Sequence, residues 1–584
     1  MSRFNKKNAL AVKEITEFEG IDTRFPADGK GKTKEMFNYR ILKDGSIKKR
    51  SGIRFVTSFE GQIRAIWTGY VKDRFTGYVL VKQRVYQLNY GEDGEFASST
   101  YVGDISTSTG DADIFYYRDY FFILDGLKIY CIVNDAIKVA NGYAPLYGKD
   151  WPTGEVGEVY EPMNVLTSRA RITYVVTDPP NIFLCTDQEV ESVQNIYVNG
   201  NYLHSSNYEI DNKLRTINIP LLSAGDRIEV HLTFKSTGNN YTSILNSTRA
   251  TVFGGMNNSR VFLWGENSNE LFVSSYVPES SLQRSGFAFG EDSILYFTYN
   301  NDIRVGDGNK CIKGVSRHYD RLLVFTEAET WMADSSYCDN EAVPIMRINS
   351  QHGACSEGGI ARCVNDPISV DTGKILRWRS NTDELDDCNA YCISEEINDI
   401  LPTDFFWDTI AIEDKFHGEV LFAKKRDDEG KIYVYQEKNN NWYIYDKISA
   451  DGFYEGRNNV GVYIGDSMYI FDDLLEYDID EEGNEKTISA YLSTYPMDFG
   501  LPYDKKRLSA ASLLLDSDGD EMKLSFTTDN GRSKEITIAD NDCEYVSTYT
   551  RRLQSERFIR VSMRLESSLN SNQRIYRIGI AVKH

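Results

Sequence analysis

Tyr120-Phe-Phe-Ile-Leu-Asp-Gly-Leu-Lys-Ile-Tyr130 runs from an apolar strand through a polar turn into a second apolar strand ending on an aromatic ring. An Asp-Gly pair between two short apolar runs is a tight-turn signal, so the stretch reads as a hairpin. The same unit recurs. It stands at Tyr78–Tyr86, at Arg260–Trp264 before Leu271–Phe272, and at Leu322–Trp331. It returns at Ile368–Trp378, at Val420–Ala423 before Ile432–Tyr433, and at Tyr463–Tyr469. Neighbouring copies start roughly 35–60 residues apart, the period of four-stranded blades, except for one longer gap between Tyr130 and Phe272. The pattern predicts a mainly β chain: a β-propeller of about seven blades carrying one large insertion.

Composition agrees. Of 584 residues, 13% are aromatic, with 38 Tyr and 29 Phe, and period-2 alternation bounded by Asn, Asp and Gly is widespread. Helical periodicity is confined to two short candidates, 9–18 and 393–401. No apolar run approaches the ~20 residues of a membrane-spanning helix, and the N-terminus lacks the apolar stretch of a secretory signal. Nine cysteines without paired spacing fit reduced thiols better than a disulfide framework.

Charge is unevenly spread. The formal net charge is −22, yet residues 1–54 hold 14 Lys and Arg against 7 Asp and Glu, a local +7 that leaves −29 on the remainder. So acidic a body argues against a protein that grips nucleic acid, because such affinity comes chiefly from neutralising phosphates. The basic head, with Lys48, Lys49 and Arg50, is a candidate surface for docking on an acidic neighbour.

The long gap has its own pattern. Asn195-Ile-Tyr-Val-Asn-Gly-Asn-Tyr-Leu203 places Asn199-Gly200 between alternating strands, and a type I′ turn needs φ > 0 at both central residues. With Ala224-Gly225-Asp226 as a further turn, residues 151–250 read as an inserted β-sandwich module, and Asn199 and Gly200 as an exposed tip suited to contacts. Beyond 472 the character shifts again. A polar connection at 472–486 leads into alternating strands, so 473–584 reads as a C-terminal β-sandwich, with Pro496 and Pro502 at edges or turns. Residues 1–55 then form a basic arm into the first blade, and 56–150 and 251–472 are the two parts of the propeller, whose terminal strands near 53–56 and 459–471 are expected to meet.

Three segments carry a family resemblance. Phe18-Glu-Gly-Ile-Asp22, Lys34-Glu-Met-Phe-Asn-Tyr-Arg40 and Asp44-Gly-Ser-Ile-Lys-Lys-Arg-Ser-Gly52 form an ordered series. They resemble the opening of short-tailed bacteriophage tail nozzle and tail hub propellers, the packaged-DNA stabilisation and tail tubular proteins. Ser51 stands where that pattern usually has proline. The Asn199-Gly200 module is similar to β-modules of phage tail fibres and tail tubes. Arg260–Ser275, Arg321–Trp331 and Gly353–Trp378 resemble the core blades, and the terminal sandwich resembles the family's own. The resemblance covers about half the chain, and the order of its segments carries it.

It implies a virion structural protein assembled in the host cytoplasm: a homo-oligomer of six copies ringed around the tail axis. The ring would sit between an adaptor or portal-side ring and distal tail proteins, retaining packaged DNA and then passing it transiently. The alternatives are a tail-tip receptor-binding protein and a propeller-type glycan depolymerase.

Signals of chemistry are sparse. Cys338, Cys355, Cys363, Cys388 and Cys392 gather near His352, but no C-x-x-C pair occurs to favour zinc. Residues 516–520 alternate acids as a calcium loop does, without the glutamate at the twelfth position. No phosphate-binding glycine motif or nucleophile elbow occurs. The expectation is therefore a non-enzymatic protein with no catalytic residues, no metal ligands and no cofactor.

Overall fold

The computed structural model describes residues 10–24, 31–177, 181–183, 188–211, 216–220, 222–235, 240–254, 259–277, 294–334, 343–379, 390–516, 522–538, 547–567 and 573–583. The chain is mainly β. Among the described residues the helical elements are one α-helix, Asn240–Leu245, and three short 3-10 turns. The helical expectation for 9–18 is corrected: Leu10–Ile15 is a strand, paired antiparallel from Leu10↔Lys583 to Ile15↔Ile578. Partners elsewhere in the chain override the local period. The expectation for 393–401 shrinks to one 3-10 turn, Asn398–Ile400.

Seven four-stranded antiparallel sets follow one another. The first is Ile63–Val71, Arg74–Val81, Arg84–Tyr90 and Phe96–Asp104. The next five begin at Asp113–Tyr117, Arg249–Phe253, Ile312–His318, Ala361–Cys363 and Thr409–Asp414. The last comprises Gly452–Glu455, Val460–Ile464 and Ser467–Asp472, and takes its fourth strand, Gly52–Ser58, from the N-terminal region. First strands of neighbouring sets lie together, except that Ile312–His318 meets the second strand of the next set, Asp366–Asp371, and Gly452–Glu455 returns to Ile63–Val71.

Each repeated sequence unit supplies the second and third strands of a set. Where both faces are covered these strands are apolar throughout: Tyr120–Leu124 and Ile129–Val133 are buried almost end to end. Arg118 and Asp119 both take positive φ, 46° and 68°, in the two-residue turn joining Tyr117 to Tyr120.

Polar groups tie neighbouring sets together. Asp113 accepts hydrogen bonds from the backbone N–H of Ala250, at 2.9 Å, and of Ile114. Burial pushes its carboxyl up to about 6, against the opposing pull of the Arg249 guanidinium, which also pairs with Asp111 and Glu357. The folded chain thus holds this proton more tightly than an unfolded chain, whose ordinary aspartate value is 3.8. The stabilising contribution is full below 3.8 and is lost as pH rises through about 6. Asp113→Asn is expected to gain on the parent by up to about 3 kcal/mol between pH 4 and 6.5, read from paired urea titrations.

The insertion forms a five-stranded sheet beginning at Leu146–Pro152 and a three-stranded one, Asn181–Phe183, Thr216–Asn218 and Glu209–Asp211. It has its own core, which includes Trp151, Ile172, Tyr174, Ile196 and Val230. At its root stands Asn164, 0% exposed. Its amide donates to the carbonyls of Tyr143 and Leu295 at 2.8 and 2.9 Å, while its oxygen accepts from the N–H groups of Leu166 and Phe297. Asn164→Ala removes these four buried hydrogen bonds at once, so a loss of about 2–5 kcal/mol is expected in urea unfolding.

The ends of the chain are woven together. Tyr39–Ile41 and Ile47–Lys49 form a hairpin added to Arg574–Lys583, which also pairs with Arg507–Asp516. Glu35–Phe37 bridges Asn441–Tyr445 and Ala490–Ser493, so the sixth set runs directly into the C-terminal strands as one nine-stranded sheet. A single core cluster spans both, from Ile368 and Val420 to Leu524 and Ile580. Within residues 1–55, expected to be an arm leading into the first blade, the described strands also pair with the C-terminal layers, and Gly52–Ser58 closes the last set.

Candidate functional site

Where the N-terminal hairpin, the sixth set and the segment after Asp472 meet, a cleft of about 540 Å³ opens. The hairpin contributes Arg40, Lys43, Lys48, Lys49, Arg50 and Ser51; the turn into the second strand of the sixth set contributes Phe416, His417 and Glu419. Asp473, Leu475, Glu476, Asp516 and Arg574 complete it. The basic string thus faces a mixed wall of acids rather than open solvent.

Two of the basic candidates are spent inside. Arg50 is 2% exposed and makes a bidentate pair with Asp478, 2.8 Å to each carboxylate oxygen, while its Nε donates to the Asn38 side chain. Lys49 is 2% exposed as well. Both are corrected from docking residues to interior ones: Arg50 is turned toward Asp478, and Lys49 is buried opposite Tyr39 in the hairpin. Lys48, opposite Arg40 in the hairpin, keeps partial exposure at the cleft. Asn199 and Gly200 do not join it. They form the expected hairpin tip of the inserted module, with φ of 49° and 82°. The Asn199 side chain is bonded to Asp226 and to the N–H of Arg227, and the tip remains exposed.

The floor of the cleft is an acid–histidine network. Asp414 ends one strand and Glu419 begins the next, directly opposite it in register; Gly418, at φ 67°, turns the chain between them. Asp414 Oδ1 accepts from the N–H groups of Phe416 and His417, and its Oδ2 lies 2.6 Å from His417 Nδ1. His417 Nε2 is 2.8 Å from Asp473. Glu419 Oε1 accepts from Arg40 Nε and from the Tyr443 hydroxyl, each at 2.7 Å. Burial, helped by the charge of Glu419, pushes the Asp414 carboxyl up to about 7, and burial raises Glu419 as well.

Ligand-type atoms of Asp414, His417 and Glu419 all lie within 4.8 Å of one another, so these three could hold a metal ion. The sequence reading passed over them, although the D-x-x-H-x-E spacing across one tight turn was visible. The cysteine region gathers less. Cys363 sits in the core, where burial pushes its thiol to about 12; Cys355 contacts Thr372, and His352 pairs with Asp371. Cys338, Cys388 and most of the 516–520 loop lie outside the described residues. Among the described residues, no helix is long and apolar enough to cross a membrane.

No family model matches the chain, and no curated protein matches it. Solved structures that are similar include PorZ, a surface component of the type-IX secretion system of Porphyromonas gingivalis, at 9% identity and TM-score 0.36. That match covers 76% of this chain but 42% of PorZ. The CNH domain of AfRom2 is similar at 8% identity and TM-score 0.34, covering 72% and 99% of the two chains. An exo-β-1,3-galactanase from Phanerochaete chrysosporium is similar at 10% identity and TM-score 0.22, covering 57% and 95%.

Proposed function

We propose that the seven successive sets are the blades of a β-propeller, and that the protein is a structural component of a short-tailed bacteriophage tail. Six copies would close a ring around the DNA-ejection conduit, between a portal-side adaptor ring and the distal tail. The observation that carries the reading is the closure: Gly52–Ser58 pairs with Ser467–Asp472, while the strands before it are laced through the C-terminal layers. A propeller locked by its own chain end resists being pried open, which suits each protomer of a ring that bears internal DNA pressure. The ordered N-terminal, core and terminal segments that resemble tail nozzle and hub proteins give the reading its particular place.

The acidic body, −29 outside residues 1–54, suits a lumen that does not hold DNA as it passes. A virion map at low resolution tests the assignment: density for six copies around the tail axis, with a net acidic lumen, is expected. Location at a fibre tip would favour receptor binding instead, and a net basic lumen would remove the repulsion argument. Light scattering on the purified protein is expected to give a monomer, with rings forming only on a tail template.

A further inference from the structure

We propose that Asp414, His417 and Glu419 bind one divalent transition-metal ion, zinc(II) foremost, at the floor of the cleft. The inference stands on the local geometry and is independent of the tail assignment.

The donors are placed by rigid elements. Asp414 and Glu419 face each other across a strand pair, and His417 sits in the turn that joins them. Two backbone N–H groups hold Asp414 Oδ1, which aims Oδ2 at the imidazole. Both bonds to Glu419 fall on Oε1, from Arg40 and Tyr443, so Oε2 is the atom available to an ion. Tetrahedral ligands about 2 Å from zinc stand about 3.3 Å apart, so donors already within 4.8 Å need only small side-chain adjustments.

His417 also carries the outer partner that metal-bound histidines usually have. Its Nε2 bonds Asp473, the arrangement that fixes the tautomer and leaves Nδ1 to coordinate. Asp473 is itself held by Ser51 and approached by Arg40 at 3.6 Å. One imidazole with two carboxylates favours zinc and its neighbours over magnesium or calcium, which prefer all-oxygen sites. His417 and Glu419 both line the cleft, which gives an ion a path in and room for a coordinated water.

The competing arrangement is ion-free, with a doubly protonated His417 donating to Asp414 and Asp473. Calorimetric titration of the chelator-stripped full chain with Zn²⁺ alone separates the two. One ion per chain is expected, at micromolar affinity or tighter. Free Zn²⁺ at a hundredfold excess over the dissociation constant should shift the unfolding equilibrium about hundredfold. His417→Gln should weaken binding at least tenfold, and Asp473→Asn by about 10–100-fold. Co²⁺ substituted into the unmutated protein should show no thiolate charge-transfer band, and Cys392→Ser should bind as the parent does. This readout holds even if a variant folds poorly. Absence of binding, undiminished binding in His417→Gln, or a cobalt–thiolate band would each overturn the proposal.

Discussion

Asp478→Ala is expected to destabilise the protein by about 3–5 kcal/mol, seen as a lower urea midpoint. Arg50 is buried with its guanidinium engaged on three sides: Asp478 on both Nη atoms, Asn38 on Nε, and the Ser51 carbonyl on Nη1. Removing the carboxylate leaves a desolvated cation with no opposite charge. It also strips the acceptor from the Ile53 N–H, at the start of the closing strand. The effect should exceed that of any exposed pair, such as Arg84–Glu60, for which about 0–1 kcal/mol is expected. Replacing both partners, Arg50→Met with Asp478→Leu, should recover most of the loss, because two apolar side chains leave no buried charge. If Asp478→Ala melts like the parent, the pair does not hold the junction.

Removing residues 1–58 is expected to abolish cooperative unfolding altogether. The segment brings Phe18, Ile21, Met36, Tyr39, Ile41 and Ile47 into the interior, none more than 1% exposed. At about 1.5–3 kcal/mol per buried side chain, these six contribute about 9–18 kcal/mol before chain entropy. That is comparable with the whole net stability of a typical domain, about 5–15 kcal/mol. The deletion also strips the last set of its fourth strand and uncovers the edge Ser467–Asp472. Scanning calorimetry should show no sharp transition. A truncated chain melting near the parent temperature would make the N-terminal region dispensable.

Much of the β architecture was legible because its signals are local. The repeated apolar hairpins show themselves over a dozen residues, as at Tyr120–Tyr130, and Asn199-Gly200 specifies its own turn. The expected meeting of the strands near 53–56 and 459–471 is present as well, from Met468↔Thr57 to Phe471↔Ile53. What escaped the sequence depends on distant partners. Lys48-Lys49-Arg50 reads as a solvated basic patch until Asp478, 428 positions from Arg50, is brought against it. Leu10–Ile15 keeps a helical spacing, yet its partner strand lies at the far end of the chain. Of the candidate site, the three residue types and their spacing were visible. Their burial, and the support of Arg40, Tyr443 and Asp473 from other elements, were not.

The closing pair has a consequence in time. Gly52–Ser58 leaves the ribosome early, and its partner Ser467–Asp472 follows more than four hundred residues later. At about 5–20 residues per second, the strand waits on the order of 20–80 s before its native neighbour exists. Until then it is an unpaired edge, open to any other strand in the cell. Much of the hazard in making this protein therefore falls within its own synthesis, and slower translation would lengthen that exposure.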